Sequence, residues 1–335
     1  MEIAFIMDPL ESIDPRFETT VALMAECNER GHGVFFLEPH DLYVRANRVM
    51  ARMWRVTVPR AFGVQAYWEA VEQAWLSQAP DSLPLEDLDV IFMRKDPPLN
   101  LEMAGHLQIL RDRVFLINDP MGVVKASNKL YNLNFPDVIP ETHVSRDPKR
   151  LRRVIEEFGG DMVMKPYAGH GGHGVIKVST RDEENLDSLL HYYVDDLRPY
   201  RERNSVIVQE FLSAARQGDK RILLLDGEVL GAMRRIPKKG EIRTNIHVGA
   251  AFLHCDVTAV DLDIIDILKP KLQADGLHFV GIDVIEDKLI EINVISPGGI
   301  PRINSLSGKR LEVAVIDFVE ARARALMAKQ VAASP

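Results

Sequence analysis

The alternation of short apolar runs with helical stretches over the first third of the chain constrains its fold more than any other feature. The run "EIAFIM" ends at Asp8-Pro9, and a helix-period stretch, "RFETTVALMAECNERGHG", follows it up to a stop at Gly31. "VFFLE", "LDVIFMR" and "RVFLIND" are further candidate strands, and "AYWEAVEQAWLSQ" is a candidate helix. Strands separated by helices indicate an α/β fold with a doubly wound parallel sheet, whose ligands bind beyond the carboxyl ends of the strands. Three strands end in polar residues that we expect to converge on one cleft: Asp8, then Arg94-Lys95-Asp96, then Asn118-Asp119.

The pattern changes from about Met121 onward. A helix around "VVKASNKLYNLNF" precedes a strand, a helix from about Pro148 to Phe158, a second strand and then the glycine-rich "KPYAGHGGHGVIKV". "TRDEENLDSLLHYYVDDL" follows as a polar helix, and strands of the hairpin type come after it, with Asp226-Gly227 as a turn signal. The second half is therefore predicted to be α+β and largely antiparallel. We expect three units, at residues 1–122, 123–205 and 206–335.

Composition and charge limit the classes of function. Of the 335 residues, 46% are hydrophobic and 27% are charged, which is typical of a globular chain with two or three domains. The net charge of −8 argues against binding dominated by nucleic-acid phosphates. Two distant cysteines, Cys27 and Cys255, fit a reducing compartment. No run approaches the roughly 18 apolar residues of a membrane span, so we expect a cytoplasmic protein.

The segment "GIDVIEDKLIEINVISPGG" carries a pattern of oxygen donors. Glu291 and Asn293 are two residues apart, so they point to one face of a strand. A three-residue turn at 286–288 would place Asp283 directly opposite Glu291, whereas a two-residue turn would place Asp283 on the other face. In the first register the three side chains form an oxygen cluster suited to Mg²⁺. The alternative is the exposed polar face of an edge hairpin, and spacing alone favours neither interpretation.

The glycine-rich stretch also allows two interpretations. The backbone amides of such a loop, next to Lys165 and with Lys129 upstream, can close on a polyphosphate, because glycine permits close approach. The order of a Walker loop is absent, and taken alone the stretch fits a simple hairpin turn better. His170 and His173 fit contacts with solvent or phosphate better than a metal-binding pair.

The order of the motifs along the chain decides between these interpretations. A helix lysine, a strand lysine before a glycine loop, "VQEFL", "GDKR", "GEIRTN" and a Glu-x-Asn hairpin follow one another. This order resembles that of the ATP-grasp superfamily, in which ATP lies between two antiparallel sheets. The chain is most similar to the bacterial glutathione synthetases over essentially its whole length, and "MRKDPP" together with "EINVISP" is specific to that resemblance.

The resemblance implies a role for each matching residue. Lys129 and Lys165 would contact the ATP phosphates, and Asp219 would lie near the ribose. The glycine lid would comprise Gly169, Gly171 and Gly172, and the adenine edge would comprise Gln209, Glu210, Phe211 and Leu212. The metal ligands would be Asp283, Glu291 and Asn293, which would hold Mg²⁺ or, as a substitute, Mn²⁺. The catalytic group would comprise Arg221, Arg243 and Asn245, and the substrate-binding group Arg94, Lys95 and Ser296.

The implied reaction is the ATP-dependent joining of γ-glutamylcysteine and glycine through an acylphosphate, which gives glutathione, ADP and phosphate. Three places depart from the family pattern: Tyr167-Ala168 after the Lys-Pro pair, "TNIHVGAA" in the loop at 236–250, and the residue before Ser296. These departures leave open a related ligase that uses another amine, such as glutamate, or another acid. A non-catalytic nucleotide-binding module is a third interpretation, which the presence of both lysines and the metal ligands disfavours.

The arginine-rich segment "RANRVMARMWRVTVPR" has two interpretations of its own. Its arginines fit the surface of an amphipathic loop or a subunit contact, and a nucleic-acid patch with Trp54 as a stacking residue is the weaker alternative. We therefore expect no nucleic-acid partner and no membrane partner. The resemblance implies a homo-oligomer, specifically a tetramer.

Overall fold

The structure, a computed structural model, describes residues 1–58, 63–167, 169, 172–195, 204–238 and 251–333, without the side chains of 182–184 and 333. The strands within these residues are β1 (Glu2–Ile6), β2 (Gly33–Leu37), β3 (Leu42–Arg45), β4 (Arg48–Arg55), β5 (Asp81–Pro84), β6 (Val90–Met93), β7 (Phe115–Ile117), β8 (Thr142–Ser145), β9 (Met162–Pro166), β10 (Ile176–Val178), β11 (Val206–Glu210), β12 (Asp219–Leu225), β13 (Glu228–Ile236), β14 (Ala251–His254), β15 (Phe279–Ile285) and β16 (Lys288–Asn293). The α-helices there are α1 (Thr19–Glu29), α2 (Val64–Ser77), α3 (Leu101–Leu107), α4 (Pro120–Ala126), α5 (Pro148–Phe158), α6 (Glu183–Val194), α7 (Ala259–Ala274), α8 (Ile300–Ser307) and α9 (Leu311–Ala333). A short 3₁₀ segment, Lys129–Asn134, follows α4.

The first sheet is mixed. Strands β2, β1, β6 and β7 lie side by side and run parallel, and they form the predicted α/β sheet. Strand β4 pairs antiparallel with β2, and β3 and β5 each pair antiparallel with β4. The rings of Phe5 in β1 and Phe92 in β6 stack with centroids 4.6 Å apart, and both side chains are fully buried. Burial on both faces explains why these strands are continuous apolar runs in the sequence.

Most of the arginine-rich segment, residues 48–55, forms strand β4, so the prediction of a surface loop was wrong there. The side chains of β4 that face the interior are buried: Val49, Ala51 and Met53. Arg52 lies on the other face and pairs with Asp41 at 2.7 Å. Trp54 stacks on Phe36 with ring centroids 5.1 Å apart, so its indole packs within the protein. Apolar and polar residues alternate along β4, which is typical of a half-buried strand, and the sequence analysis considered only the arginines of this pattern.

Two antiparallel sheets make up most of the second half of the chain. The second sheet has the strand order β10-β9-β11-β8, and the third has the order β14-β13-β12-β15-β16. Helix α5 begins after an Asp147 cap and ends at Gly159 in the left-handed conformation, within the bounds that the sequence predicts. Asp226-Gly227 forms the predicted turn between β12 and β13.

The buried side chains divide between shared and separate cores. Phe279 of the third sheet packs in the same hydrophobic cluster as Phe5 of the first sheet, so these two sheets share a core. Helix α7 covers the opposite face of the third sheet, together with the segment that contains Tyr131. The second sheet packs with α5 and α6 around a core of its own, within Leu151–Val208. Among the described residues, the second sheet therefore has a hydrophobic core separate from the one that the first and third sheets share.

Fold class follows from these sheets. The parallel core of the first sheet and the two antiparallel sheets confirm the predicted α/β domain followed by an α+β, largely antiparallel half. Across the part of the chain that the structure describes, no helix has the length and apolar character needed to cross a membrane.

Candidate active site

A cavity of about 430 Å³ lies between the second and third sheets. Most of the predicted site residues line this cavity: Lys129, Lys165, Gly169, Gly172, Gln209, Glu210, Phe211, Leu212, Asp219, Arg221, Asp283, Glu291, Asn293 and Ser296. Gly171, Arg243 and Asn245 lie outside the described residues. The sheets thus bring together side chains that are up to 167 positions apart in the sequence, from 129 to 296.

Two lysines enter the cavity from different elements. The Lys165 ammonium on β9 donates to Oε1 of Gln209 on β11 at 2.7 Å, and the Gln209 amide donates in turn to Thr142 at 2.8 Å. Burial lowers the pKa of Lys165 to about 8, with Lys129 adding to the effect and Glu291 opposing it. The Lys129 ammonium donates to the carbonyl of Gly169 and lies 3.3 Å from Oε1 of Glu291. Both cations therefore face the carboxylate hairpin.

The carboxylate hairpin has the predicted pairing but reaches it differently. Asp283 on β15 pairs with Glu291 on β16, as the sequence predicted. The turn, however, is the two-residue Glu286-Asp287, and a β-bulge between Asp283 and Val284 shifts the register by one position. Of the two turns that the sequence left open, the two-residue turn is present, and the bulge supplies the residue that gives the pairing expected of a three-residue turn.

Asp283 is the centre of a buried charge network. Arg221 binds its carboxylate through two nitrogens at 2.5 and 3.0 Å, and Nη2 of Arg235 lies 2.9 Å from its Oδ2. Burial alone would raise the pKa of Asp283, but the two guanidinium groups lower it to about 2. Arg235 also binds both oxygens of Asp219, each at 2.7 Å. Because its guanidinium binds Asp283 through two nitrogens, Arg221 is held in a fixed position on the cavity wall.

Three oxygen-bearing side chains on one face of the hairpin fit a magnesium ion. Glu291 and Asn293 lie two residues apart on β16, and the Asn293 amide donates to Asp283 at 3.3 Å. Mg²⁺ requires only one or two carboxylates when water and phosphate oxygens complete its octahedron. The described residues contain no cluster of three or more His, Cys, Asp or Glu side chains suited to a metal. This donor set therefore fits a metal that shares its coordination with a bound phosphate.

The predicted adenine edge lies at the end of β11. The amide of Glu210 donates to the carbonyl of Glu141 at 2.9 Å, and the amide of Phe211 donates to Asp161 at 3.1 Å. Apolar side chains also line the cavity, among them Ile139, Val163, Val175, Ile207, Leu212 and Ile290. An apolar slot beside a strand end suits a planar base.

The polar strand ends of the first sheet only partly reach this cavity. Oδ2 of Asp8 accepts a hydrogen bond from the amide of Asp96 at 2.7 Å, and Asp96 lines the cavity. The Lys95 ammonium is 2.6 Å from Asp8 and does not line the cavity. Asn118 lies elsewhere, bonded to the backbone of Phe279 at 2.7 Å. The expectation that all three strand ends share one cleft was therefore wrong for the third.

Arg94 is buried rather than open to a substrate. Its side chain is only 3% exposed, and it donates to Thr20 at 3.0 Å and to the carbonyl of Pro297 at 3.1 Å. The Ser296 hydroxyl donates to the backbone carbonyl of Arg94 at 3.1 Å. This guanidinium joins the end of β6 to the segment that follows β16, and Arg94 does not line the cavity, so the structure does not bring it together with the other predicted site residues.

Sequence reasoning missed three polar residues of the cavity wall, Asn132, Thr142 and Arg235. Arg235 lies directly opposite Asp219 on the neighbouring strand. The two-residue Asp226-Gly227 turn alone would place Arg234 opposite Asp219, but a β-bulge between Leu223 and Leu224 shifts the register by one position, so the turn did not identify Arg235. Asn132 belongs to a 3₁₀ segment, where the sequence predicts only a helix, and its partner is a backbone carbonyl that no side-chain pattern identifies.

The fold and this site define a class of protein. Two antiparallel sheets that enclose lysines and a carboxylate hairpin are the ATP-grasp arrangement, and the family model for "Prokaryotic glutathione synthetase, ATP-grasp domain" matches residues 128–308. The model for the N-terminal domain of the same family matches residues 1–123. The chain belongs to the prokaryotic glutathione synthetase family.

Individual relatives agree with the family models. A glutathione synthetase of Synechocystis sp. is 39% identical over 325 residues, which cover 96% of this chain and 99% of the relative. That of Thermosynechococcus vestitus is 38% identical over 316 residues, 93% of this chain and 97% of the relative. Among solved structures, the ATP-grasp ligase PsnB, in complex with a precursor variant, Mg and ADP, is similar with a TM-score of 0.60. It is 14% identical and covers 96% of this chain and 98% of its own, so the similarity shows a common fold.

Proposed function

We propose that this chain joins the cysteinyl carboxylate of γ-glutamylcysteine to the amine of glycine, and that ATP is converted to ADP and phosphate in the process. The observation that carries the proposal is the placement of Lys129, Lys165 and Arg221 around the Asp283–Glu291 pair in one cavity, in a chain of this family. A phosphoryl group bound there would be close to these three cations, and the two carboxylates beside it could bind a metal ion. Phosphoryl transfer depends mainly on such positioning and on electrostatic stabilisation.

ATP would lie along the cavity with its base in the apolar end. The base would contact the backbone of the segment from Gln209 to Leu212, and the phosphates would reach Lys129 and Lys165. Glu291, Asn293 and Asp283 would hold Mg²⁺, which supplies charge neutralisation on the phosphates when it is bound. The Lys129 ammonium, now 3.3 Å from Glu291, is close enough to contact a phosphate beside the metal ligands.

The chemistry would proceed in two displacements. An oxygen of the donor carboxylate attacks the γ-phosphorus, the bond to the β–γ bridging oxygen breaks, and ADP leaves with that electron pair. The neutral amine of glycine then attacks the carbonyl carbon of the acylphosphate, and phosphate leaves with the bridging oxygen. Arg221, held by Asp283 at 2.5 Å, would stabilise the negative charge on the transferred group. Oriented binding of both substrates lowers the entropic part of the barrier.

The proposal also includes the metal ion, two further catalytic residues, the assembly and location of the protein, and its division into domains. Mn²⁺ would replace Mg²⁺ at the same oxygen ligands, and the catalytic roles of Arg243 and Asn245 are proposed on the family resemblance. A homo-oligomer, a cytoplasmic location and the division of the chain at residues 122 and 205 are also proposals. Free cysteines at positions 27 and 255 support a reducing compartment.

The test is ADP release with Mg-ATP and γ-glutamylcysteine, in the presence of glycine and then of alanine, serine or glutamate in its place. We expect release to depend on glycine, with glutathione as the product. Release that requires another amine would assign the chain to a related ligase. Tight ATP binding without release in the presence of any amine would contradict an enzymatic role.

A further inference from the structure

A buried carboxylate outside the cavity, that of Asp275, follows the C-terminal end of α7. The residue is only 7% exposed, and its two oxygens accept hydrogen bonds from Lys125 at 3.0 Å, Lys271 at 2.7 Å and the Tyr131 hydroxyl at 2.8 Å. Burial opposes its charge, but these three donors outweigh burial and lower the pKa of Asp275 to about 2. The carboxylate is therefore a fixed anion at neutral pH, and charge-assisted hydrogen bonds to it are strong.

Tyr131 connects this anion to the segment that enters the cavity. Its side chain is 5% exposed, and the Lys271 ammonium lies 5.4 Å from its ring centroid. Burial and the neighbouring Asp275 raise the pKa of the Tyr131 hydroxyl, so it remains a donor. Since Tyr131 lies in the 3₁₀ segment Lys129–Asn134, the hydrogen bond to Asp275 fixes one side of that segment to α7.

The other side of the segment faces the cavity. In a 3₁₀ helix the side chains at positions i and i+3 lie above one another, so Lys129 and Asn132 share one face. Asn132 donates to the backbone carbonyl of Ile290 at 2.9 Å, next to Glu291, and Lys129 lies 3.3 Å from the Glu291 carboxylate. A rotation of the segment would move Lys129 and Asn132 together.

We propose that Asp275 is a positioning residue for nucleotide binding. Through the Tyr131 hydroxyl it sets the rotation of the Lys129–Asn134 segment, and thereby the distance of the Lys129 ammonium from the nucleotide phosphates. The inference rests on the proposed function only in that Lys129 contacts a nucleotide phosphate. It assigns no role to Asp275 in binding the donor or the acceptor.

The first test compares two buried tyrosines. Tyr131→Phe removes the hydroxyl that binds Asp275, whereas Tyr67→Phe removes a buried hydroxyl without a hydrogen-bond partner among the described residues. Calorimetry with Mg²⁺ and a non-hydrolysable ATP analogue would measure nucleotide affinity without any donor. We expect the dissociation constant to rise about tenfold in Tyr131→Phe, because a buried hydrogen bond to a charged group is lost, and to stay unchanged in Tyr67→Phe. Equal affinities in the two variants would overturn the proposal.

A second pair of variants separates positioning from stability. Asp275→Asn and Asp261→Asn each remove a buried carboxylate at an end of α7. Among the described residues the hydrogen-bond partners of Asp261 are Thr258 and Lys220, and neither belongs to the 3₁₀ segment. We expect both to lower the melting temperature, but only Asp275→Asn to raise the KM for ATP while the KM for the donor stays constant. An equal change in the two KM values would show a merely structural role. If the wild-type protein binds nucleotide but makes no glutathione, the proposed function fails while the affinity comparison of the tyrosine variants still decides this inference.

Discussion

At the scale of single residues, Lys165 shows how the cavity tunes a charge before any ligand is bound. Its ammonium lies between the second and third sheets and has the Gln209 side-chain oxygen as a hydrogen-bond acceptor. Burial makes the cationic form unfavourable and brings the pKa down from 10.5 to about 8. A triphosphate would restore the full charge, since it supplies the missing anionic partner.

This shift predicts opposite pH effects on stability and on binding. Between pH 8 and 10.5 the unfolded chain binds more protons at Lys165 than the folded chain, so this group makes the ligand-free protein more stable as pH rises through that window. Nucleotide affinity falls over the same window, because the cation that binds phosphate is lost. We expect the KM for ATP to rise above about pH 8 in the wild type and to stay nearly flat in Lys165→Arg, whose guanidinium remains charged. Parallel pH profiles of KM from pH 7 to 10 in the two proteins would show that Lys165 is not the cation whose loss of charge weakens ATP binding.

Glu291 tests the metal-binding role of the hairpin. Glu291→Gln keeps the shape of the side chain but removes the charge that would hold the metal most strongly in the transition state. We expect kcat to fall about a hundredfold, with nucleotide affinity changed by no more than about threefold. Glu228→Gln, an exposed position of the same sheet paired with Lys269, is the matched control and should retain full activity. Wild-type turnover in Glu291→Gln would show that the metal assignment is wrong.

At the scale of elements, the sequence predicts more of the site than of the scaffold around it. Periodicity predicted β1, β2, β6, β7, α1, α2 and α5, because each is a long or strongly patterned run. Asp283 pairs with Glu291 across a two-residue turn, which by itself would have placed Asp283 on the other face, because a bulge compensates for the turn length in a way that a sequence does not show. Arg94 was misplaced for a related reason: a strand end exposes its side chain only if no later segment covers it, and the residues after β16 do.

The Asn118 side chain hydrogen-bonds the end of β7 in the first sheet to Phe279 in the third sheet, and this gives a prediction about stability. The Asn118 amide donates to the carbonyl of Phe279 at 2.7 Å and accepts from its amide at 2.7 Å, with both residues buried. Asn118→Ala leaves those backbone groups without partners, so we expect a loss of about 2–4 kcal/mol in the free energy of unfolding. Urea denaturation measures this loss, and Asn134→Ala, at an exposed asparagine that binds one nearby carbonyl, is the control. Similar unfolding midpoints for the two variants would mean that the hydrogen bonds of Asn118 to Phe279 contribute little to the stability of the protein.

At the scale of the whole molecule, the separate core of the second sheet matters most. The first and third sheets share a core, and salt bridges from Arg30, which follows α1, to Asp317 and Glu320 on α9 connect the N-terminal and C-terminal parts of the chain. The second sheet, which has a core of its own, contributes Lys165 and the predicted adenine edge to the cavity. A ligand in the cavity would therefore contact two separately packed bodies. Such an arrangement suits a reaction in which an acylphosphate must be kept from water, because closing of the two bodies on the ligands excludes solvent.

The central claim is that the donor carboxylate attacks ATP directly, and isotope transfer tests it. γ-Glutamylcysteine with both oxygens of its cysteinyl carboxylate replaced by ¹⁸O would be incubated with the protein, Mg-ATP and glycine, and the phosphate and the peptide product would be analysed by mass spectrometry. We predict one ¹⁸O in each phosphate released and one in the new amide of glutathione, because the bridging oxygen of the acylphosphate leaves with phosphorus. Phosphate free of ¹⁸O would show that water, rather than the donor carboxylate, attacks ATP, and would contradict this account.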